Sequence, residues 1–401
     1  MRLIFLNRFY WPDEPATGQL LADLATALAA RGDTVTVITS RPASGDVPPV
    51  EVRNGVRILR VRGTRWGRHH LAGRAVDFAT FLLGALGLLI RTAGKGDIVV
   101  ALTDPPLLGL AVWPAARWRN ARCVHWIQDV FPEVALTLKA NLLVRAAGAA
   151  LRPLRNLAWR RSDCCVAVSH DMASLIARTG VSPEKIRVIP NWAPAGMDRQ
   201  THDGTAELRR AWKLAGKFIV AYSGNLGRVH DFSWVVETAS LLQDQSHLAF
   251  VFIGDGAQRD ALAAAVQARG LANIHFHPPQ PRAQLAITLA LGDVHLVTLR
   301  AGCEALVFPS KLYGIAAVGR PVVFVGPKDC EVARLVEQHG FGVAFTPEDP
   351  AAVAGGLQGL AADPVRCALL AGRAREFSRT SGQLDHALAA WVPLLSREAA
   401  C

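Results

Sequence analysis

Short apolar runs rich in valine, isoleucine and leucine recur along this chain at helix-sized intervals, and this alternation restricts the fold more than any other feature. A first series occupies residues 3–6, 34–38, 56–61, 97–102, 122–126, 163–168 and 186–189. A second occupies 218–222, 248–253, 273–276, 293–298, 321–325 and 341–345, and only its last pair lacks a helix-sized gap. Strands that alternate with helices build βα units and parallel sheets. Pro190-Asn191-Trp192-Ala193-Pro194 breaks the first series, and residues 194–216 are polar and irregular, as a linker would be. The expected fold is therefore α/β, with two doubly wound domains, 1–193 and 217–382, facing across a cleft. Residues 383–401 carry Leu384, Leu388, Trp391, Leu394 and Leu395 at helical spacing, a helix expected to pack back on the first domain.

Composition agrees. A chain of 401 residues exceeds one ordinary core, and 51% hydrophobic against 19% charged residues excludes a disordered protein and suits buried parallel sheets. The seven cysteines are scattered except for Cys164-Cys165 and show no zinc spacing. Their odd number argues against a disulfide framework, so a reducing cytoplasm is the expected setting. No basic segment precedes a long apolar run at the start, so no signal peptide is expected. The most lipid-like window, 75–90, is short for a membrane span and reads as a buried or interfacial helix.

The net charge of +11 is confined to residues 1–195, where 25 basic residues face 14 acidic ones. Much of it lies in residues 53–74, with seven arginines, His69, His70 and no acid. Two readings stay open. The stretch is a solvated surface, or it meets anionic lipid headgroups or a phosphorylated acceptor. No nucleic-acid motif accompanies the charge.

Candidate chemistry gathers at strand ends. In the segment 306–321, LVFPSKLYGIAAVGRP, a Pro-Ser-Lys turn opens an Ala/Gly-rich helix. Unpaired N–H groups and the helix dipole favour an anion there, beside Ser310 and Lys311. Ser223-Gly224-Asn225-Leu226-Gly227-Arg228 follows the first strand of the second series; its glycines admit a ligand and Arg228 offers a fixed cation. Gly254-Asp255-Gly256 ends the next strand, and Cys303-Glu304 and the segment 329–331, ending in Glu331, supply acids able to accept ribose hydroxyls. In the first series the loop 7–18 is longer than most βα loops, with Thr17 placed to cap a helix and Gly18 to admit a ligand. In His125-Trp126-Ile127-Gln128-Asp129-Val130-Phe131-Pro132-Glu133 two carboxylates suit acid–base or oxocarbenium-stabilising work. His125 reads as a core histidine and Asp129 as the better candidate.

Taken together, PDEPATGQLLADLA, TDPP at 103–106, QDVFPE at 128–133, IPNW at 189–192, YSGNLGRVHDF, FIGDGAQRDAL and FPSKLYGIAAVGRP resemble the family 4 glycosyltransferases of the GT-B fold. The nearer likeness is to WbuB-like and colanic-acid-type enzymes of surface polysaccharide synthesis. The resemblance implies two Rossmann-like domains, a nucleotide-sugar donor, most commonly UDP-linked, held mainly by the second, and a sugar acceptor held mainly by the first. It implies retention of configuration and no required metal or other cofactor. Carried over by position, Asp129, Arg228 and Lys311 are the catalytic candidates. Gly18, Gly224, Asn225, Gly254, Asp255, Ser310, Lys311 and Glu331 are the donor-binding ones.

The basic first half and the apolar helix fit a lipid-linked acceptor, with peripheral contact to an anionic membrane and no nucleic acid. One departure stands out. Many family members carry two glutamates separated by seven residues where this chain has Leu306 and Gly314, so Glu304 and Glu331 become the substitutes in view. Two other readings fit the same motifs: a GT-B UDP-sugar 2-epimerase, or an inactive nucleotide-sugar-binding homologue.

Overall fold

A computed structural model describes residues 1–13, 15–42, 47–64, 66–67, 71–138, 142–197 and 204–396, with the backbone alone at 71, 72 and 74. The chain forms two units. The first comprises Met1–Pro190, Ala305–Val307 and Ala387–Cys401, and the second Asn191–Glu304 and Phe308–His386.

The first unit opens with β1 (Arg2–Leu6), α1 (Ala16–Ala30), β2 (Thr34–Ser40), β3 (Val50–Arg53), β4 (Val56–Val61) and α2 (Leu71–Thr92). It continues through β5 (Ile98–Ala101), α3 (Leu108–Trp118), β6 (Arg122–Ile127), α4 (Glu133–Thr137), α5 (Leu142–Arg161), β7 (Cys164–Ala167), α6 (His170–Arg178) and β8 (Ile186–Val188). Its sheet runs β3-β4-β2-β1-β5-β6-β7-β8, parallel except that β3 is antiparallel to β4. The strands near its centre are buried on both faces, as crossover helices require. Phe81, Ala85 and Leu89 of α2 and Leu108, Val112 and Ala116 of α3 fill the core against β1, β4 and β5. Gly84 lets α2 lie directly on Val61, because a Cβ there would collide with that side chain.

The second unit contains α7 (Thr205–Ala211), β9 (Phe218–Ser223), α8 (Val235–Leu241), β10 (Leu248–Ile253), α9 (Arg259–Ala268), β11 (Ile274–His277), α10 (Leu285–Leu291) and β12 (Val294–Thr298). After it come α11 (Lys311–Ala317), β13 (Val322–Val325), α12 (Glu331–Gln338), β14 (Gly342–Phe345), α13 (Pro350–Ala362) and α14 (Pro364–Ser381). Its six strands are all parallel, in the order β11-β10-β9-β12-β13-β14. The last helix, α15 (Leu384–Leu395), belongs to the first unit from Ala387 onward. There the Trp391 indole meets Trp126 edge-on at 5.0 Å. The Arg122 guanidinium donates to the carbonyls of Ser396 at 2.6 Å and Leu394 at 3.3 Å.

Several expectations need correction. The stretch 194–216 is not irregular throughout, since it holds α7, whose Leu208 packs with Trp212 on the core under β9 and β10. Arg209 pairs with Asp293 at 2.9 Å and Trp212 stacks on His277 at 3.6 Å, so this part belongs to the second unit. The gap before the last strand does hold a helix, α12. The edge strand β3 was not foreseen. Pro15, not Thr17, takes the cap position of α1, and no side chain caps that end.

The basic stretch is also not one surface. Arg60 is buried, pairing with Glu51 at 2.8 Å and donating to the carbonyls of Pro48 and Trp11. Arg53 stacks over the Trp11 ring at 4.0 Å. Arg65, Arg68, His69 and His70 lie outside the described residues. The apolar window 75–90 falls within α2; its Ala75–Thr92 portion has a mean hydropathy of 1.6, and its inner side is part of the core.

Candidate functional site

The second sheet reverses its winding between β9 and β12, with β10 and β11 to one side and β13 and β14 to the other. The loops leaving two such strands diverge and open a crevice at their carboxyl ends. The residues from Gly224 to Arg228 leave β9, and α11 is the helix that follows β12. These two segments meet at Lys311. Its Nζ lies 3.6 Å from the centroid of the Tyr222 ring, and a Cβ on Gly224 would stand 3.2 Å from it. Among the described residues that nitrogen is buried without a hydrogen-bond partner, and burial pushes its pKa down to about 7. A buried ammonium with no acceptor from its own fold is costly to hold, and an anion at this point would relieve that cost.

The surrounding loops are fixed by one another. Gly224 N–H donates to the Ile253 carbonyl at 2.9 Å, and Leu226 N–H to that of Asp255 at 2.8 Å. Gly254, at φ 145°, leaves no room for a side chain, because a Cβ would collide with the Gly224 carbonyl oxygen. The side chain of Asn225 packs closely against Gly227 and Gly256. The Tyr222 hydroxyl donates to the Asn225 carbonyl at 2.7 Å, and the Gln258 side-chain amide to those of Gly227 and His230. Thus Gly224, Asn225, Gly254, Asp255 and Lys311 form one cluster. Arg228 extends it with an exposed guanidinium, its carbonyl held by Arg300 Nε at 3.1 Å. Ser310 precedes α11 but makes no cap bond. Glu331 is buried at the start of α12; after burial itself, its charge helps push the Tyr313 phenol up, which puts it near α11. Gly254→Ala is expected to lower stability by about 2–4 kcal/mol, seen as a lower urea midpoint.

In the first unit the winding reverses between β1 and β5, and the loops after these strands meet where Arg8 N–H donates to the Asp104 carbonyl at 2.7 Å. Asp104 lies just beyond β5 and Asp129 just beyond β6, the neighbouring strand. Neither carboxylate has a hydrogen bond or salt bridge among the described residues. Burial and then the Asp104 charge push Asp129 up to about 6. Burial likewise pushes Asp104 up to about 6, opposed by Arg8. Glu133 does not join them: the Arg155 guanidinium holds both its oxygens at 2.8 Å. His125 is a core residue, its Nε2 at 2.8 Å from Ser162 Oγ, and burial pushes it down to about 4. Gly18 sits within α1, where a Cβ would lie 3.1 Å from the Phe9 carbonyl oxygen, so close packing of its own loop accounts for the glycine.

Two family models cover most of the chain: a glycosyl transferase 4-like domain matches residues 17–192, and glycosyl transferases group 1 matches 217–363. The chain belongs to the family 4 glycosyltransferases. WbjE of Pseudomonas aeruginosa, named as a glycosyltransferase, is 28% identical over 88% of each chain. WcaI of Escherichia coli K12, named for colanic acid biosynthesis, is 28% identical over 89% of this chain and 91% of its own. Among solved structures, Anabaena HepE in complex with UDP superposes at a TM-score of 0.74 with 15% identity, over 98% of this chain and 99% of that one. Sucrose-phosphate synthase from Thermosynechococcus elongatus superposes at 0.80 with 18% identity over 98% of each. These structures share the GT-B fold.

In this chain, the two positions at which the family resemblance led to an expectation of glutamates have apolar surroundings. Leu306 is buried and its carbonyl accepts from Val130 N–H at 2.8 Å. Gly314 lies inside α11, where a Cβ would stand 3.2 Å from Leu289. Glu304 is engaged locally, accepting from Gly302 N–H at 2.9 Å. Asp104, Tyr222 and His230 were not singled out from sequence. Tyr222 is the platform beneath Lys311. His230 Nδ1 lies 2.6 Å from the Thr298 carbonyl, so it carries the proton and ties the β9 loop to the end of β12. The TDPP motif pointed to Asp104; nothing in the sequence set Tyr222 or His230 apart from core aromatics.

Proposed function

We propose that the second unit binds a nucleotide sugar, UDP-linked, and that the enzyme transfers the sugar with retention to a lipid-linked saccharide in surface polysaccharide synthesis. The observation that carries this reading is the buried, unpartnered Lys311 ammonium between the Gly224 loop and α11. Breaking a glycosidic bond to a nucleoside diphosphate develops negative charge on the leaving phosphate, and a preorganised cation offsets it best where water is excluded. Lys311 supplies that charge at the crevice and Arg228 a second one at its mouth. Gly224 and Gly254 let the backbone approach, and Asn225, Asp255, Ser310 and Glu331 provide polar groups for the nucleotide and sugar. Such a cation pair performs the task a divalent metal performs elsewhere. Asp129, with Asp104 beside it, would contact the transferred sugar or the acceptor hydroxyl.

HepE, solved with UDP, with UDP-glucose and with UDP and glucose, supports the choice of donor. The name of WcaI supports the polysaccharide setting. A panel of nucleotide sugars, each incubated with and without lipid-linked saccharide, tests the reading. One donor should release its nucleoside diphosphate faster with acceptor present, and at an unchanged rate in EDTA. Acceptor-dependent release from none of them would sink the proposal.

A further inference from the structure

The imidazole of His230 shares the Tyr222 platform with Lys311 and has one nitrogen left over. Its place is fixed from several directions. The His230 N–H donates to the Gly227 carbonyl at 3.1 Å, and the Gln258 side-chain amide donates to the His230 carbonyl at 3.0 Å. Thr298, whose carbonyl receives Nδ1 at 2.6 Å, is itself held, its hydroxyl donating to the Asp231 carbonyl at 2.7 Å. The His230 ring stands at 78° to that of Tyr222 with centroids 6.0 Å apart, and Tyr222 carries the Lys311 ammonium on its face at 3.6 Å. A carbonyl can only accept, so the proton sits on Nδ1 and the Nε2 of the neutral ring keeps its lone pair. Burial and then the Lys311 charge push the pKa down to about 3, against the pull of the Thr298 bond, so the ring stays neutral around pH 7. Among the described residues Nε2 has no hydrogen-bond partner, in a residue that is buried but still 8% exposed. An acceptor in that setting is unfavourable until a donor reaches it.

We infer that His230 is a donor-binding residue whose Nε2 accepts a hydroxyl of the transferred sugar. This rests on the nucleotide-sugar reading of the crevice and adds which group meets the sugar. An ionised phosphate oxygen offers only lone pairs, so a phosphate on Lys311 leaves Nε2 to the hydroxyl-bearing parts of the donor. Of these, the sugar stands next to the bond that breaks, where the charge of a neighbouring acceptor matters most. A carboxylate there would offset Lys311 and oppose the charge developing on the leaving phosphate. A neutral imidazole accepts a hydroxyl without that opposition. Asp255, exposed beyond the end of β10, is available to the ribose. Selectivity follows from the same geometry, because an acceptor built for one hydroxyl is left unpaired when that hydroxyl is missing.

Titration calorimetry of the full chain tests it. The probes are UDP, 2′-deoxy-UDP, and whichever of UDP-glucose, UDP-galactose and their 2-acetamido counterparts binds most tightly. Analogues of that UDP-sugar carry fluorine in place of one sugar hydroxyl at a time, since fluorine cannot donate. One fluorine position should weaken binding to the parent by about tenfold or more. His230→Asn keeps an amide donor for the Thr298 carbonyl and lacks an acceptor at the Nε2 position. It should melt and bind UDP like the parent, yet bind the UDP-sugar as weakly as the parent binds that analogue, with no further loss on the analogue itself. His230→Gln sets an amide oxygen near the Nε2 position and gives up the Thr298 bond, so it should melt lower and keep the discrimination. A histidine with a structural role alone predicts the reverse, with losses in either variant shared equally by UDP and the UDP-sugar, and that result would overturn the inference. So would a contrast between UDP and 2′-deoxy-UDP that His230→Asn removes, which would put the ribose at Nε2. UDP-sugar binding unchanged in His230→Asn removes this inference and leaves the donor reading standing. No binding of UDP or any UDP-sugar by the parent removes both.

Discussion

Replacing Lys311 by methionine is expected to lower kcat/KM for the donor by about 10²–10³-fold while making the unliganded fold more stable. The loss would follow from removing the cation proposed to offset charge on the leaving phosphate. The gain, about 1–3 kcal/mol, follows from removing a buried donor with no acceptor, and methionine fills the space over Tyr222 with little change in volume. Function and stability move in opposite directions at this residue, which separates a ligand-binding role from a structural one.

The pH dependence has a definite sign. Burial pushes Lys311 from the ordinary 10.5 down to about 7. Between those values the unfolded chain binds a proton that the native protein does not, so stability rises with pH across that window. Methionine should abolish the rise. UDP should restore the lysine's proton, because a nearby phosphate favours the charged form. Titration calorimetry in two buffers of different ionisation heat should show uptake approaching one proton at about pH 8 and little at about pH 6. Absence of uptake at the higher pH would count against contact between Lys311 and the phosphates.

Asp129→Asn should lower kcat by about 100-fold and leave UDP affinity unchanged, since the carboxylate lies in the first unit and the groups proposed to hold the nucleotide lie in the second. If the ionised form acts on the acceptor or the transferred sugar, the rate should rise with pH through about 6, the value to which burial and Asp104 push it. Asp104→Asn should move that acid limb lower by removing a like charge. A pKa raised on folding gives stability that is complete below the ordinary carboxylate range and lost as pH rises through about 6. At pH above 7 the asparagine variant should therefore unfold at a higher urea concentration than the parent. A limb unmoved in Asp104→Asn would mean the two carboxylates do not interact.

Much of this architecture was legible because buried parallel strands leave a strong mark. Uninterrupted runs such as those in β1, β5 and β10 can hardly be read otherwise, whereas the spatial order that sets the switch points is visible only in the folded sheets. Features that failed to show were those whose identity depends on partners distant in sequence. β3 is a short edge strand with Val50 and Val52 exposed, so it lacks the buried pattern. α7 is a short helix whose Arg209 and Arg210 made an apolar side look polar. Arg60 reads as a surface charge until Glu51 and two carbonyls are placed around it. In the site, glycine and lysine positions could be picked from loops at strand ends. The aromatic floor at Tyr222 could not, since a tyrosine ending an apolar strand looks like any core residue.

The return of α15 to the first unit has a consequence for biosynthesis. Residues 1–190 emerge from the ribosome well before Trp391 and the carbonyls that receive Arg122 have been made. During that interval the Trp126 flank of β6 stays uncovered and the Arg122 guanidinium lacks those two acceptors. The early half can form its sheet, but this corner closes only after the second unit has been synthesised. A nascent chain arrested before α15 would therefore expose an aromatic surface on its first half, a natural place for a chaperone to hold it until translation is complete.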